Sequence, residues 1–173
     1  FRRHFFQHAG FRYIEAEKPE IAQNKVNKFE TDQSICQQLD CYFGDNILAY
    51  EDYSRQILNF ITPLLATDTI NKKRLLNLGC SVGRIAFELS RTFENIDAVD
   101  FSARTIQHAV KLQLGESVRY TKVIEGDILE YKELELGSVV SNTNNERILF
   151  SQGDGSNLKA IFQNYDVIFI QHA

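Results

Sequence analysis

The sequence contains no methionine and no tryptophan, and only two prolines and three cysteines occur among its 173 residues. The cysteines, Cys36, Cys41 and Cys80, form no Cys-x-x-Cys pair and leave an odd count, so a disulfide framework is not indicated. Unpaired thiols are typical of a reducing compartment. We therefore expect a cytoplasmic protein whose cysteines are free.

Long apolar runs and clusters of positive charge are also missing. The sequence has no apolar stretch of about 18 residues and no signal-peptide pattern, so neither a membrane span nor secretion is supported. The formal net charge is −4 and the pI is about 5.6. Without a basic stripe, these values argue against a nucleic-acid surface. The hydrophobic content of 43% is sufficient for a packed core.

The most informative pattern of the chain lies between Leu75 and Arg84. An apolar run of strand length, Leu75–Leu78, meets two glycines, Gly79 and Gly83, and a helical stripe follows. The stripe consists of Val82, Ile85, Ala86, Leu89 and Phe93. This order predicts a strand, a glycine-rich turn and a helix. Glycine lets a ligand approach the backbone closely, and the helix N-terminus directs free N–H groups toward negative charge.

An acidic residue ends the next predicted strand, Ile96–Asp100, about twenty residues after the turn, where a carboxylate could accept both hydroxyls of a ribose. Two simpler interpretations stand beside this one. Glycine turns also occur in α/β folds that bind nothing, and Asp100 could serve only to start the helix predicted from Ser102 to Leu114. Together, the turn and the acid predict a site for a nucleoside.

The turn lacks the glycines that a dinucleotide requires. That fingerprint has glycine at its first, third and sixth positions, whereas this chain has Ser81 and Arg84 at the third and sixth. The pattern Asn77-x-Gly79-x-x-x-Gly83 instead resembles the first motif of class I S-adenosylmethionine (SAM)-dependent methyltransferases. That family usually has Asp or Glu at the Asn77 position. The neutral amide is therefore expected to weaken the grip on the cofactor's ammonium group.

Two Gly-Asp pairs compete for the position that meets adenine in this family, after the third strand. Gly126-Asp127 and Gly153-Asp154 both follow apolar segments. The next predicted strand begins at Tyr165, about a dozen residues after the second pair but roughly forty after the first. A short crossover suits neighbouring parallel strands, whereas forty residues would need an extra element. We therefore assign Asp154 to adenine.

This assignment makes residues 118–145 an insertion. The alternation of apolar and polar residues there predicts a hairpin of Val118–Ile124 with Ile128–Leu136. Asp127 then becomes an exposed turn residue.

The resemblance implies a Rossmann-like α/β domain with a doubly wound, mostly parallel sheet and SAM as its cofactor. The implied cofactor contacts are Asn77, Gly79, Cys80, Gly83, Asp100, Phe101, Asp154 and Gly155. No metal is implied. His4 and His8 have the i, i+4 spacing of ligands on a helix, but no third ligand lies nearby and Gly10 would end the helix early.

Two helices are predicted before the first strand. One follows Phe29–Asp32 and stops at Gly44, with Ile35, Leu39 and Tyr42 on one side. The other runs from about Tyr53 to Leu65. Its apolar stripe consists of Ile57, Phe60, Ile61, Leu64 and Leu65, which we expect to be core positions that cover the sheet.

The order of the segments resembles the family of bifunctional ovothiol biosynthesis enzymes. The segments that carry this likeness are Arg2–Arg12, Phe29–Asp32, Leu78–Arg84, Glu125–Gly126, Gln152–Asp154, Asn157–Leu158 and Tyr165–Val167. In that family, an iron-dependent histidylcysteine sulfoxide synthase domain precedes a mercaptohistidine N-methyltransferase. The resemblance implies methyl transfer from SAM to an imidazole nitrogen of a thiohistidine, a small-molecule substrate. It also implies fusion to an upstream domain whose iron ligands precede Phe1.

The resemblance divides the chain into three parts. Residues 1–17 would be the tail of the upstream domain, because Gly10-Phe11-Arg12 looks like its closing strand. Residues 18–45 would be a linker and the first helix, and residues 46–173 a partial methyltransferase domain. The chain begins without methionine and ends directly after the apolar segment Val167–Ile170, so we expect a fragment that is inactive alone.

Other interpretations stay open at this point. His172 stands where the family has a loop beside the transferred methyl group, and a neutral imidazole there could accept a proton; a solvent-facing residue is the alternative. The domain could also be a methyltransferase-like structural or binding module without catalysis, as Asn77 would suggest. A nicotinamide-dependent oxidoreductase is opposed by Ser81 and by the two helices that precede the first strand.

Overall fold

Regular elements of the chain follow the predicted order closely. The structure, a computed structural model, describes residues 30–45 and 53–171. The expectations for His4, His8, His172 and residues 1–17 lie outside these ranges. In chain order the elements are α1 (Asp32–Phe43), α2 (Tyr53–Leu65), β1 (Arg74–Leu78), α3 (Arg84–Leu89), β2 (Asn95–Asp100), α4 (Ala103–Gln113), β3 (Val118–Glu125), β4 (Ile128–Leu134), α5 (Leu136–Val139), a 3₁₀ turn (Asn145–Arg147), β5 (Ile148–Gln152) and β6 (Val167–Ile170).

The main sheet is parallel and has the strand order β5-β2-β1-β6. Strand β1 pairs with β2 on one side and with β6 on the other, so Asn77 lies between Ala98 and Phe169. The chain moves outward from β1 to β2 and β5, then returns to the other side of β1. Ligands of open α/β sheets bind at the carboxyl ends of the strands, where the order reverses in this way. The predicted α/β class with a parallel sheet is confirmed.

Helix α3 packs against the sheet through the stripe that the sequence predicted. Its cap, Gly83, has a φ of 86°, and a Cβ there would lie 2.7 Å from Cζ of Phe150. A left-handed residue without a side chain is therefore required where the turn enters the helix. The helix ends at Leu89, before the last residue of the predicted stripe, Phe93. Phe93 lies in the loop that follows the helix and is nevertheless buried.

The first helix begins as predicted. The Thr31 hydroxyl accepts a hydrogen bond from the N–H of Ser34 at 3.2 Å, a standard N-cap. Ile35, Leu39 and Tyr42 are all buried, so the predicted apolar side of α1 is confirmed.

For α2, the bounds were predicted correctly but part of the predicted core was wrong. Phe60 and Leu64 are 73% and 55% exposed, whereas Ile61 is buried. The hydroxyl of the buried Ser54 donates to the carbonyl of Tyr42 at 3.0 Å. Ser54 and Ile61 therefore lie on the side of α2 that is buried, and Phe60 and Leu64 lie outside it.

The hairpin β3–β4 is an antiparallel unit separate from the main sheet, as the predicted insertion requires. Its register runs from the pair Val118 and Leu134 to the pair Glu125 and Ile128, with an irregularity between Val123 and Glu125. The second strand ends at Leu134 rather than at the predicted Leu136, because α5 begins at Leu136. Asp127 lies exposed in the turn, as predicted.

The crossover from β5 to β6 is anchored at its far end by three side chains. The Tyr165 hydroxyl donates to Oδ2 of Asp97 at 2.7 Å, and the Arg74 guanidinium binds the same oxygen at 3.2 Å. The guanidinium also lies 4.7 Å from the centre of the Tyr165 ring. Burial and the hydrogen bond to Asp97 raise the pKa of Tyr165, so its hydroxyl remains a donor.

The different burial of two leucines leads to a stability prediction. Leu39 is fully buried, whereas Leu64 is more than half exposed. Leu39→Ala should lower the free energy of unfolding by about 2–5 kcal/mol because it leaves a cavity. Leu64→Ala, the matched control, should change it by less than about 0.5 kcal/mol. Chemical denaturation measures both, and equal losses would contradict the orientation of α2.

Candidate functional site

A cavity of about 690 Å³ opens at the carboxyl ends of β1, β2, β5 and β6, where the strand order reverses. Five of the predicted contacts line it: Gly79, Asp100, Phe101, Asp154 and Gly155. The two carboxylates, which come from different strand ends, therefore share one cavity.

The other three predicted contacts lie behind the cavity wall. Asn77 and Cys80 are fully buried, and Gly83 packs against the rings of Phe150 and Phe87. In this structure they support the turn that lines the cavity, and direct contact between these three residues and a cofactor stays a prediction.

The glycine-rich turn is held between the strands on both sides of β1. The N–H groups of Gly79 and Cys80 donate to the carbonyl of Val99 at 2.8 and 3.1 Å. Gly79 has a φ of 69°, and a Cβ there would lie 1.8 Å from the carbonyl oxygen of Gln171. Any side chain at position 79 would therefore push the turn away from β6.

Asp100 organises the turn and the start of α4 at the same time. Its Oδ2 accepts from the N–H of Ser81 at 2.8 Å. Its Oδ1 accepts from the N–H of Ser102 at 2.9 Å and from the hydroxyl of Thr105 at 3.1 Å. Each carboxylate oxygen can accept two hydrogen bonds, so Oδ2 retains capacity for a ligand donor. Helix initiation and cavity lining are thus combined in one residue.

Like Asp100, Asp154 has a carboxylate oxygen, Oδ2, with capacity for a ligand donor. Its Oδ1 accepts from both the N–H and the hydroxyl of Ser156, at 2.9 and 2.7 Å. Among the described residues, no hydrogen-bond donor reaches Oδ2. The N–H of Gly153 donates to the carbonyl of Asp100 at 2.9 Å, which ties the two acidic strand ends together.

Helix α1 supplies a wall that sequence reasoning missed. Ser34, Gln38 and Tyr42 line the cavity, and the Ser81 hydroxyl donates to Oε1 of Gln38. The sequence signal was present, because Ser34 and Gln38 precede Tyr42, a member of the predicted apolar side, at intervals of four residues. Burial raises the pKa of Tyr42, so its hydroxyl stays protonated.

A buried pair of amides links Asn77, which lies behind the cavity wall, to Gln171, which lines the cavity. Nε2 of Gln171 donates to Oδ1 of Asn77 at 3.2 Å. Among the described residues, Nδ2 of Asn77 and Oε1 of Gln171 have no hydrogen-bond partner. An unmet buried polar group costs about 1–3 kcal/mol, and this pair carries one unmet donor and one unmet acceptor, both inaccessible from the cavity.

Cys80 has no nucleophilic character in this setting. Cys36, Cys41 and Cys80 all lie in the part of the chain that the structure describes and form no disulfide there, and Cys80 is fully buried. Burial raises the pKa of the Cys80 thiol, which keeps it neutral and unreactive.

Two further features of the described residues bear on the site and its surroundings. They contain no group of three or more His, Cys, Asp or Glu side chains that could hold a metal ion. Over the same ranges, no helix has both the length and the apolar character needed to cross a membrane.

Comparison with known proteins identifies the fold. No protein-family model matches the chain, and no curated protein sequence does. Solved structures do match. Magnesium protoporphyrin IX methyltransferase from Synechocystis PCC 6803 with bound S-adenosylhomocysteine has a TM-score of 0.51 at 14% identity, over 82% of this chain and 54% of that one. The same enzyme with bound SAM has a TM-score of 0.49 at 15% identity, over 82% and 57%.

A third match is the CcbJ methyltransferase from Streptomyces caelestis, with a TM-score of 0.47 at 17% identity, over 82% of this chain and 44% of that one. The chain thus spans about half the length of the structures that it matches. At these identities the likeness concerns the fold, and it confirms a Rossmann-like α/β fold of the kind found in class I methyltransferases.

Proposed function

We propose that this chain is part of a SAM-dependent methyltransferase. The observation that carries the proposal is the single cavity at the strand-order reversal into which both Asp100 and Asp154 contribute. Its volume of about 690 Å³ is of the size that holds a small molecule or cofactor. A protein of the same fold has a bound product of this cofactor, which supports the choice of ligand.

The residues of the cavity suit an adenosyl group. Oδ2 of Asp100 retains capacity for a ribose hydroxyl, and Oδ2 of Asp154 is available to the exocyclic amine of adenine. Val99, Phe101 and Ile170 supply apolar wall to the same cavity. This mixture of apolar surface and a few placed acceptors is typical of sites that bind nucleosides.

The amide pair suits the other end of the cofactor. The amino-acid end of SAM carries an ammonium group, which donates, and a carboxylate, which accepts. Oε1 of Gln171 and Nδ2 of Asn77 are an unmet acceptor and an unmet donor. Both atoms are buried, so this contact would require them to become exposed when the cofactor binds. Because both amides are neutral, they would then bind this end without the charge attraction that an acid at position 77 would add.

When bound, the cofactor would supply a methyl group on a positively charged sulfur, which is a good leaving group. The contribution of the chain is alignment and the exclusion of water. Tyr42 and Cys80 keep their protons because burial raises the pKa of each. A neutral nitrogen acceptor would not need a base, since it attacks through its own lone pair.

We propose an imidazole nitrogen of a thiohistidine as the acceptor, with an iron-dependent sulfoxide synthase domain upstream and a cytoplasmic location. This part of the proposal rests on the resemblance of the segments from Arg2–Arg12 to Tyr165–Val167, in their order along the chain, to ovothiol biosynthesis enzymes. Incubation of the complete protein with thiohistidine and isotope-labelled SAM tests it. Mass spectrometry should show one labelled methyl group on the imidazole ring. Recovery of thiohistidine without a labelled methyl group would contradict the proposal of this acceptor.

Binding of SAM is the first test of the proposed function. Isothermal titration calorimetry should show saturable binding, and Asp100→Asn should weaken it roughly ten- to hundredfold, because a charged acceptor is lost. Asp68, an exposed residue outside the cavity, provides the control Asp68→Asn, which should bind like the unchanged protein. No heat at millimolar SAM would contradict the proposal and would favour a binding or structural module.

The two Gly-Asp pairs provide a matched pair of variants. Asp154→Asn should weaken SAM binding by about tenfold because it removes the charge of the oxygen offered to adenine. Asp127→Asn makes the same chemical change in the exposed hairpin turn and should leave affinity unchanged. The same titration measures both variants. The opposite ranking would show that the adenine position was assigned to the wrong pair.

A further inference from the structure

Among the described residues, the hairpin β3–β4 carries more exposed large apolar side chains than any other helix or hairpin. Its exposed members are Val123, Ile124, Ile128, Leu129 and Tyr131, and Tyr131 is 84% exposed. Val123 lies opposite Leu129 across the hairpin, and exposed apolar patches mark interaction sites in soluble proteins. The cavity described above does not involve these residues.

The two edges of the hairpin differ. On the β3 side, the N–H of Thr121 donates to Sγ of Cys36 in α1 at 3.4 Å, so that edge is turned toward the rest of the domain. Strand β4 pairs with β3 alone among the described strands, so its outer edge has no strand beside it. An apolar strand with an open edge is a template for pairing with another strand.

The residues of β4 are complementary to themselves. In an antiparallel pairing of two β4 strands centred on Tyr131, Glu130 of each strand lies opposite Lys132 of the other. The two-fold symmetry of the pairing produces two such Glu130–Lys132 pairs. The same register places Tyr131 opposite Tyr131 and Ile128 opposite Leu134. Opposite charges and aromatic pairs at facing positions are the contacts that stabilise antiparallel strands.

Lys132 already binds two carboxylates of its own chain. Its Nζ lies 3.2 Å from Oε1 of Glu130 in the same chain and 3.1 Å from Oδ2 of Asp45. Pairing would place the lysine near a second glutamate of the same kind.

We propose that β4 is the interface of a homodimer, in which two copies of the chain pair β4 to β4 antiparallel about a two-fold axis at Tyr131. The contact is isologous, because each strand supplies both charges of each pair. The two hairpins would form one four-stranded antiparallel sheet, and Leu129 and Tyr131 of both copies would cover one another. The inference is independent of the proposed methyltransferase activity.

The test uses charge reversal on the full chain. Sedimentation equilibrium over about 1 to 300 μM should show a concentration-dependent dimer, as expected for a small strand interface. Glu130→Lys and Lys132→Glu each place like charges opposite one another twice, so each alone should weaken dimerisation by about tenfold or more. An equimolar mixture of the two variants should dimerise again, because one strand then carries two lysines and the other two glutamates.

Lys159→Glu is the control, because it makes the same change of charge at an exposed residue of the crossover. It should dimerise like the unchanged chain, and thermal unfolding should show all variants to be folded. A monomer at all concentrations would overturn the proposal, and it is the result expected if another segment or partner covers β4. A dimer that persists in both single variants, or a mixture that stays monomeric, would overturn it equally.

Discussion

The close approach of Gly79 to the carbonyl of Gln171 is the constraint on which the rest of the site depends. Strand β1 is bonded on both sides, and the turn that leaves it must pass between the ends of β2 and β6. A Cβ at position 79 would lie 1.8 Å from that carbonyl oxygen, so the passage is open to glycine alone. The position of the turn then determines where α3 starts and where the cavity opens.

Three loops converge at this point and are tied together by backbone groups. Asp100 accepts hydrogen bonds from the turn through Ser81 and from the start of α4 through Ser102. Its own carbonyl accepts from Gly153, which precedes Asp154. The two carboxylates are therefore held in relation to one another by the main chain. A ligand that touches both would find its acceptors already in position, which reduces the ordering that binding requires.

Local patterns predicted most of the elements. Helical stripes predicted α1, α2 and α4. The short sequence distance from Asp154 to Tyr165 indicated that β5 and β6 belong to the main sheet. It also indicated that the hairpin is an insertion. The prediction failed where one apolar stripe was wider than the surface that it meets, so that Phe60 and Leu64 are exposed. Periodicity shows that a face is apolar, but the packing partner determines how much of that face is buried.

By itself, the sequence determined the order and type of the elements, the need for glycine in the turn, and the presence of an acid at the end of β2, because these follow from periodicity and backbone sterics over short distances. The tertiary structure decided that Ser34, Gln38 and Tyr42 of α1 close the cavity, and that Asn77 pairs with Gln171 behind it. Asn77 and Gln171 are 94 positions apart in the chain. No local pattern specifies such contacts, because they exist only after β6 has returned to the far side of β1.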